Sequence, residues 1–372
     1  MSNNFLRKNV SITIILILII SMFAMPMTAF GADGDTVNIT LLGTSDIHGA
    51  INSYDYATGD DYGERGLAII SSIVNQTREE SENTLLVDNG DTIQGSLLTD
   101  DLYNSDLTKD NPMIALMNII GYDAMVLGNH EFNFGLDLVE KIVEEANFPI
   151  LSANTYLKED GSNYVGNYIV KEYDGVKVGI LGLTVPSIPK WDGPKVEPLE
   201  FKHMADEAEK YIAQMKDEGV DVVIVSAHSG LDSRHETDGG DAARLIAERT
   251  DADVLITGHD HVNVNEVING TLVVAPKANY GYMAEVAKVE LTVENNNGEW
   301  EVTSKVPSFL QIGDYEADPQ IVDASVEYDQ VTKDFVSGTI GTATGDFHPP
   351  SKVEGIPEAQ IKDTAVIDLI ND

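Results

Sequence analysis

The feature of this 372-residue chain that most constrains its fold is the alternation of two apolar periods. From Val37 onward, short runs of strand character (Val37–Leu42, Thr84–Asp88, Ala124–Leu127, Ile150–Ala153, Val176–Leu183, Val222–Ala227, Val254–Thr257) are separated by segments with apolar residues at i, i+3 and i+4. Those segments, Leu67–Glu80, Met113–Ile120, Leu136–Ala146, Met204–Lys216 and Ala242–Arg249, have the spacing of amphipathic helices. The alternation predicts an α/β fold with helices covering the sheets from outside. After Gly258 the helices drop out. Val264–Ile268, Thr271–Ala275, Val286–Val293 and Glu301–Lys305 read as hairpins completing a second sheet. Asp318–Phe335 reads as one helix, and the stretch beyond it, with Pro349, Pro350 and Pro357, as a linker.

Polar residues of metal-binding type follow directly on the C-terminal ends of these strands, where open α/β sheets place their ligands. Asp46-Ile47-His48 follows the first strand, Gly90-Asp91 the second and Gly128-Asn129-His130-Glu131 the third. Ala227-His228 and Gly258-His259-Asp260-His261 follow later ones. Each motif alone occurs by chance in many chains. The argument rests on five of them, in this order, each at a strand end. The chain has no cysteine, so any metal must be held by oxygen and imidazole donors, which suit divalent Zn, Mn, Fe or Co. Adjacent glycines let the backbone turn sharply and bring ligands close. A metal pair about 3.5–4 Å apart can activate a hydroxide and bind the attacking and phosphoryl oxygens of an in-line displacement, so hydrolysis of a phosphate ester is the reaction such a site serves.

Charge narrows the partners. With 62 acidic and 23 basic residues the formal net charge is −39, and no basic stripe follows the first ten residues, which argues against nucleic-acid polymers as partners. Arg7 and Lys8, the apolar run Val10–Met25, Pro26 and the small residues Ala29, Gly31 and Ala32 have the three-part pattern of an export signal over residues 1–31. That run is shorter than the ~20 residues a membrane-spanning helix needs, although an uncleaved anchor is the alternative. The expectation is therefore a secreted or envelope-associated protein, periplasmic or extracellular, without stable membrane insertion once the signal is removed.

The motifs together resemble the calcineurin-like metallophosphoesterase superfamily, and within it the bacterial 5'-nucleotidase and 2',3'-cyclic-nucleotide 2'-phosphodiesterase family. The matching stretches are ITLLGTSDIHGAI (Ile39–Ile51), VDNGDTIQG (Val87–Gly95), YDAMVLGNHEFNFG (Tyr122–Gly135), VSAHSG (Val225–Gly230) and TGHDHV (Thr257–Val262). The resemblance implies a four-layer α/β/β/α sandwich over residues 36–335 with a dimetal site at the strand ends. By motif position it implies that Asp46, His48 and His261 bind one divalent metal, Asn129, His228 and His259 a second, and that Asp91 bridges them. His130 resembles the catalytic histidine that stabilises the transition state or protonates the leaving oxygen.

Two departures qualify the resemblance. The aspartate that orients this histidine in the 5'-nucleotidase and UDP-sugar hydrolase branch is Asn133 here, and the NHEFNFG form is closer to the cyclic-phosphodiesterase branch. The implied substrates are small nucleotides: 2',3'-cyclic nucleotides and nucleoside monophosphates. A 5'-nucleotidase or UDP-sugar hydrolase is the alternative, and a metal-containing surface binding protein the reading from another class. The family also carries a C-terminal nucleotidase domain, of which DTAVIDLIND (residues 363–372), after a linker at 336–362, resembles only the beginning, so the sequence is expected to be a fragment or a catalytic domain alone. Trp191 in SIPKWDGPK reads as a loop tryptophan covering the sheet or, alternatively, as a wall of the substrate cleft. His203, His235 and His348 read as surface residues, and Asp260 as pointing away from the metals.

Overall fold

A computed structural model of the chain describes residues 33–61, 63–279, 282–339, 341–342, 352–353 and 356–357. The expected export signal, His348 and the start of a further domain at 363–372 lie outside the described residues, as does most of the expected linker.

The strands are β1 (Thr36–Thr44), β2 (Thr84–Asp88), β3 (Ala124–Val126), β4 (Ile150–Leu151), β5 (Thr155–Leu157), β6 (Tyr168–Tyr173), β7 (Val176–Thr184), β8 (Leu199–Phe201), β9 (Val222–His228), β10 (Val254–Thr257), β11 (Val264–Ile268), β12 (Thr271–Ala275), β13 (Ala278–Asn279), β14 (Tyr282–Met283), β15 (Glu285–Asn296) and β16 (Glu299–Gln311). The helices are α1 (Leu67–Glu80), α2 (Pro112–Ile120), α3 (Leu136–Glu145), α4 (Ile188–Asp192), α5 (Met204–Asp217), α6 (Ala243–Arg249) and α7 (Pro319–Val336). Two six-stranded sheets carry the fold, in the orders β16-β15-β1-β2-β3-β4 and β11-β12-β10-β9-β7-β6. In the first, β1 to β4 run parallel and β15 joins β1 antiparallel, Thr36 opposite Glu294. In the second, β7, β9, β10 and β12 run parallel between antiparallel edges β6 and β11.

Side chains alternate across a strand, and here they sort into three cores. Leu85 and Val87 of β2 meet Val222 and Ile224 of β9, Val254 and Ile256 of β10 and Ala287, Val289 and Leu291 of β15 in the layer between the sheets. Leu86 points the other way, into the core beneath α1, α2 and α3, while Val223, Val225 and Leu255 point under α5 and α6. The result is the expected helix, sheet, sheet, helix order. Central strands buried on both faces need near-continuous apolar runs, which is why the sequence pattern found them.

Helix ends follow local chemistry. Asn111 caps α2 by accepting the N–H groups of Met113 and Ile114, Pro112 fills the first position, and Gly121 closes the helix in the left-handed conformation.

One assignment is corrected. The β15–β16 hairpin completes the first sheet, not the second, because Ala287, Val289, Leu291 and Val293 face the inter-sheet core from beside β1. Only the β11–β12 hairpin joins the second sheet. Contacts divide the chain at Thr332; the unit from Lys333 on includes the end of α7 and a short antiparallel pair, Lys352–Val353 with Ile356–Pro357. Among the described residues no helix is long and apolar enough to cross a membrane.

Candidate metal centre and acid site

The loops after β1, β2, β3, β9 and β10 bring the expected residues together in two groups. Asp46, His48 and His261 form one and Asp91, His228 and His259 the other, the donor atoms of each lying within 4.8 Å of one another. Each group draws on both sheets.

In the first group, His261 Nε2 stands 3.2 Å from Asp46 Oδ1 and 3.2 Å from His48 Nε2. In the second, His228 Nε2 stands 3.0 Å from Asp91 Oδ2 and is buried without a partner in hydrogen-bond geometry. Asn129 adds another buried atom of this kind, its Oδ1, which has no hydrogen-bond partner in the protein. Buried polar atoms without partners are rare and costly. Lone pairs directed inward are what a bound cation requires, and the donor set of carboxylate, amide oxygen and imidazole suits a divalent one.

The backbone supplies a second sign. Among the described residues, eight that are not glycine have positive φ. Three, Asp174, Asn269 and Asn297, precede Gly175, Gly270 and Gly298 in the tight hairpin turns β6–β7, β11–β12 and β15–β16, as such turns demand. The other five are Asp46, His48, Asp91, His259 and His261. Left-handed backbone costs an L-residue about 1–2 kcal/mol, and here it recurs at the candidate ligands, His48 adopting it in the tight turn that Ala50 N–H closes on Ile47 O at 3.2 Å. The strain is concentrated where function is expected.

Ring nitrogens are set by their outer partners. A carbonyl oxygen only accepts, so His48 Nδ1 donates to Gln94 O (3.1 Å) and His228 Nδ1 donates to Asn89 O (2.7 Å), which leaves both Nε2 atoms facing inward. In DIH and in HDH the middle residue turns away: Ile47 enters the core, and Asp260 pairs with Arg234 at 3.1 Å. Gly258 is required by close approach, since a Cβ there would stand 2.7 Å from Asn89 Nδ2 and 2.8 Å from Asp46 Oδ2.

The field of the site is strongly negative. Burial works against charge on His228, but Asp91, Asp46 and Glu131 outweigh it and hold its pKa at about 10. Burial likewise opposes ionisation of Asp91, yet His228, His130 and His48 keep it well below the usual carboxylate range. Burial and the charge of His228 push His259 down to about 4. Carboxylates that attract positive charge this strongly would attract metal cations in the same way.

His130 lies beside the first group, its ring centroid 5.3 Å from that of His48, and its backbone N–H donates to Asp91 Oδ1 at 2.8 Å. Its Nδ1 is 2.6 Å from Asn133 Oδ1. A cavity of about 310 Å³ runs past Gly49 and Gly95, next to His48, and is lined by Tyr54, Tyr56, Arg65 and Tyr282.

The sequence model of the calcineurin-like phosphoesterase family matches residues 39–263, which span every candidate ligand and the candidate acid site. The chain belongs to that family. It is 31% identical over 394 residues to the trifunctional nucleotide phosphoesterase protein YfkN of Bacillus subtilis (strain 168), covering 96% of this chain and 26% of YfkN. It is 30% identical over 371 residues to the 2',3'-cyclic-nucleotide 2'-phosphodiesterase/3'-nucleotidase of Haemophilus influenzae, covering 91% of this chain and 56% of that protein. The crystal structure of calcineurin-like phosphoesterase YfkN superposes with a TM-score of 0.75 at 31% identity, covering 82% of this chain and all of that one. The chain thus spans about a quarter and just over half of these two relatives.

Within this calcineurin-like phosphoesterase site, several residues carry parts that the motifs did not assign. Glu131 is fully buried, and its carboxylate accepts the N–H groups of Gly128, Asp91, Thr92 and Ile93 at 2.7–3.2 Å, tying two ligand loops together. Asn89 orients His228 through its carbonyl and accepts from Ser226 through its side chain. Trp191 proves not to cover a sheet: α4 sets its ring 5.7 Å from that of His259 and 5.0 Å from that of His235, with 42% of the residue exposed, so it walls the second ligand group. His235 accordingly belongs to this wall, and His203 is half-buried beside Asp206. No spacing rule links these residues, which are brought together by the β7–α4 connection and the 231–242 loop.

Proposed function

We propose that the protein hydrolyses phosphate esters of nucleotides, 2',3'-cyclic nucleotides and nucleoside monophosphates, with Asp46, His48 and His261 holding one divalent cation, Asn129, His228 and His259 a second, and Asp91 between them. The observation that carries this reading is the pair of donor groups, the second with His228 Nε2 and Asn129 Oδ1 buried and without a hydrogen-bond partner, set beside an imidazole that is oriented but not itself a ligand. Two divalent cations, whether Zn, Mn, Fe or Co, would supply the positive charge that activates water and neutralises phosphoryl oxygens. The protein's own contribution is to fix the donors, to place His130 at the leaving oxygen and to hold the ligand imidazoles correctly turned. The named activities of YfkN and of the Haemophilus influenzae protein support nucleotides as the substrate class. The same reading assigns residues 36–335 to the catalytic domain and 1–31 to an export signal, with the enzyme working outside the cytoplasm.

The test is hydrolysis of 2',3'-cyclic AMP, 3'-AMP, 5'-AMP and bis-p-nitrophenyl phosphate by protein lacking residues 1–31, with added Mn or Zn and with chelator as control. Metal-dependent turnover of the diesters supports the cyclic-phosphodiesterase reading. Turnover of 5'-AMP alone would transfer the chain to the 5'-nucleotidase alternative. A folded protein that binds metal and hydrolyses none of the four would sink the reading.

A further inference from the structure

We propose that Asp192 is the remote end of a positioning relay, Asp192–Asn133–His130, that fixes which nitrogen of His130 faces the scissile ester; the inference rests on the hydrolytic reading above. Asn133 stands at the position where a carboxylate contacts the histidine in the related branch, and an amide cannot balance an imidazolium by itself. The carboxylate is present one residue further away. Asn133 Nδ2 donates to both oxygens of Asp192, at 3.1 and 3.3 Å, while Asn133 Oδ1 meets His130 Nδ1 at 2.6 Å. Asp192 is 6% exposed, and its nearest cation, Lys195, is 3.7 Å away and also donates to the Asn133 carbonyl.

An asparagine amide has two ends of similar shape, and only its partners decide which way it faces. Carboxylate oxygens only accept, so Asp192 requires the NH2 end. The carbonyl end is then left for His130, whose Nδ1 must carry the proton. Its Nε2 becomes the working nitrogen, on the ring edge away from Asn133. During hydrolysis the water oxygen bonds to phosphorus, and the bond from phosphorus to the alcohol oxygen breaks with its electron pair on that oxygen. The proton on Nε2 of the His130 imidazolium passes to the alcohol oxygen. The imidazole keeps its Nδ1 proton on Asn133, the attacking water sheds its proton to solvent, and Nε2 is recharged from there. If the amide could turn over, its NH2 would face Nδ1, which could then only accept, and the opposite tautomer would be held.

Asp192→Asn removes the instruction while preserving shape. For a nucleoside 3'-monophosphate, whose alkoxide needs a proton to leave, kcat is expected to fall about 10-fold or more, with KM and bound metal unchanged. For p-nitrophenyl phosphate, whose phenolate leaves without help, the change is expected to stay within about 2-fold. The double variant Asn133→Asp/Asp192→Asn, which sets a carboxylate directly on Nδ1, is expected to recover most of the loss. Nitrogen-15 spectra of His130 should show the proton on Nδ1 in the parent and a tautomer mixture in Asp192→Asn. Equal losses on the two esters, no recovery in the double variant, or a parent His130 protonated at Nε2 alone would overturn the relay. The spectra need no turnover, so a parent that hydrolyses neither ester would remove the hydrolytic reading while the relay is still decided.

Discussion

Glu131 Oε2 accepts the backbone N–H of Asp91 at 2.9 Å, so a residue five positions past the end of β3 holds the backbone of the candidate ligand that follows β2. The same oxygen accepts from Gly128 and its partner from Thr92 and Ile93. Glu131→Gln turns an NH2 toward two of these four donors. With about 1–3 kcal/mol for each buried group left unpaired, it is expected to destabilise the protein by about 2–6 kcal/mol. Urea unfolding measures that loss, and unchanged stability would show that the latch is not needed.

The pH dependence of stability should carry the mark of Asp88. Burial raises its pKa from 3.8 to about 7 against the opposing hydrogen bonds of Thr44, Thr92 and the Gly90 N–H, with the charge of Glu131 adding to the rise. The fold favours the protonated acid, so this contribution is full below about pH 4 and is lost as pH climbs through about 7, amounting to at most about 4 kcal/mol. Asp88→Asn mimics the protonated form. In the presence of chelator its unfolding free energy should fall less between pH 4 and 7 than that of the parent, and parallel curves would refute the assignment.

Metal removal should be visible from Trp191. Cobalt or manganese bound by His259 would quench the fluorescence of a ring 5.7 Å from that imidazole, and chelator should restore it. Trp191→Phe should abolish most of the response, leaving Trp300 as the sole emitter. Loss of the cations should also lower Tm, since a ligand at 1,000 times its Kd stabilises by about 4 kcal/mol. A response that survives in Trp191→Phe would place the metals elsewhere.

Gly258→Ala tests the closeness of the two sheets at the site. The added methyl would press on Asn89 and Asp46, so metal stoichiometry is expected to fall from two toward zero with the fold retained by circular dichroism. Full loading of this variant would mean that the loops have more room than the structure gives them.

How much of this was legible depended on burial. Central strands such as β9 and β10 are apolar on both faces, and their polar successors stood out against that background. β6 was missed because it is a half-exposed edge strand, although the Asp174-Gly175 turn after it was a usable signal. The Leu98–Asn104 segment forms a π-helical turn, a hydrogen-bonding pattern with no side-chain signature at the periods examined in the sequence. The β15–β16 hairpin was recognised but assigned to the wrong sheet, since alternation reports that a face is buried without saying against what. Ligands announced themselves as motifs at strand ends, whereas Asp192, Trp191 and His235 depend on tertiary contacts across dozens of residues.

Because β1, β2 and β3 belong to one sheet and β9 and β10 to the other, the loops of neither sheet alone contain a complete candidate ligand group. A growing polypeptide would therefore have neither group complete until the two sheets have docked. Cations held by these groups would therefore enter a fold already assembled instead of guiding its assembly.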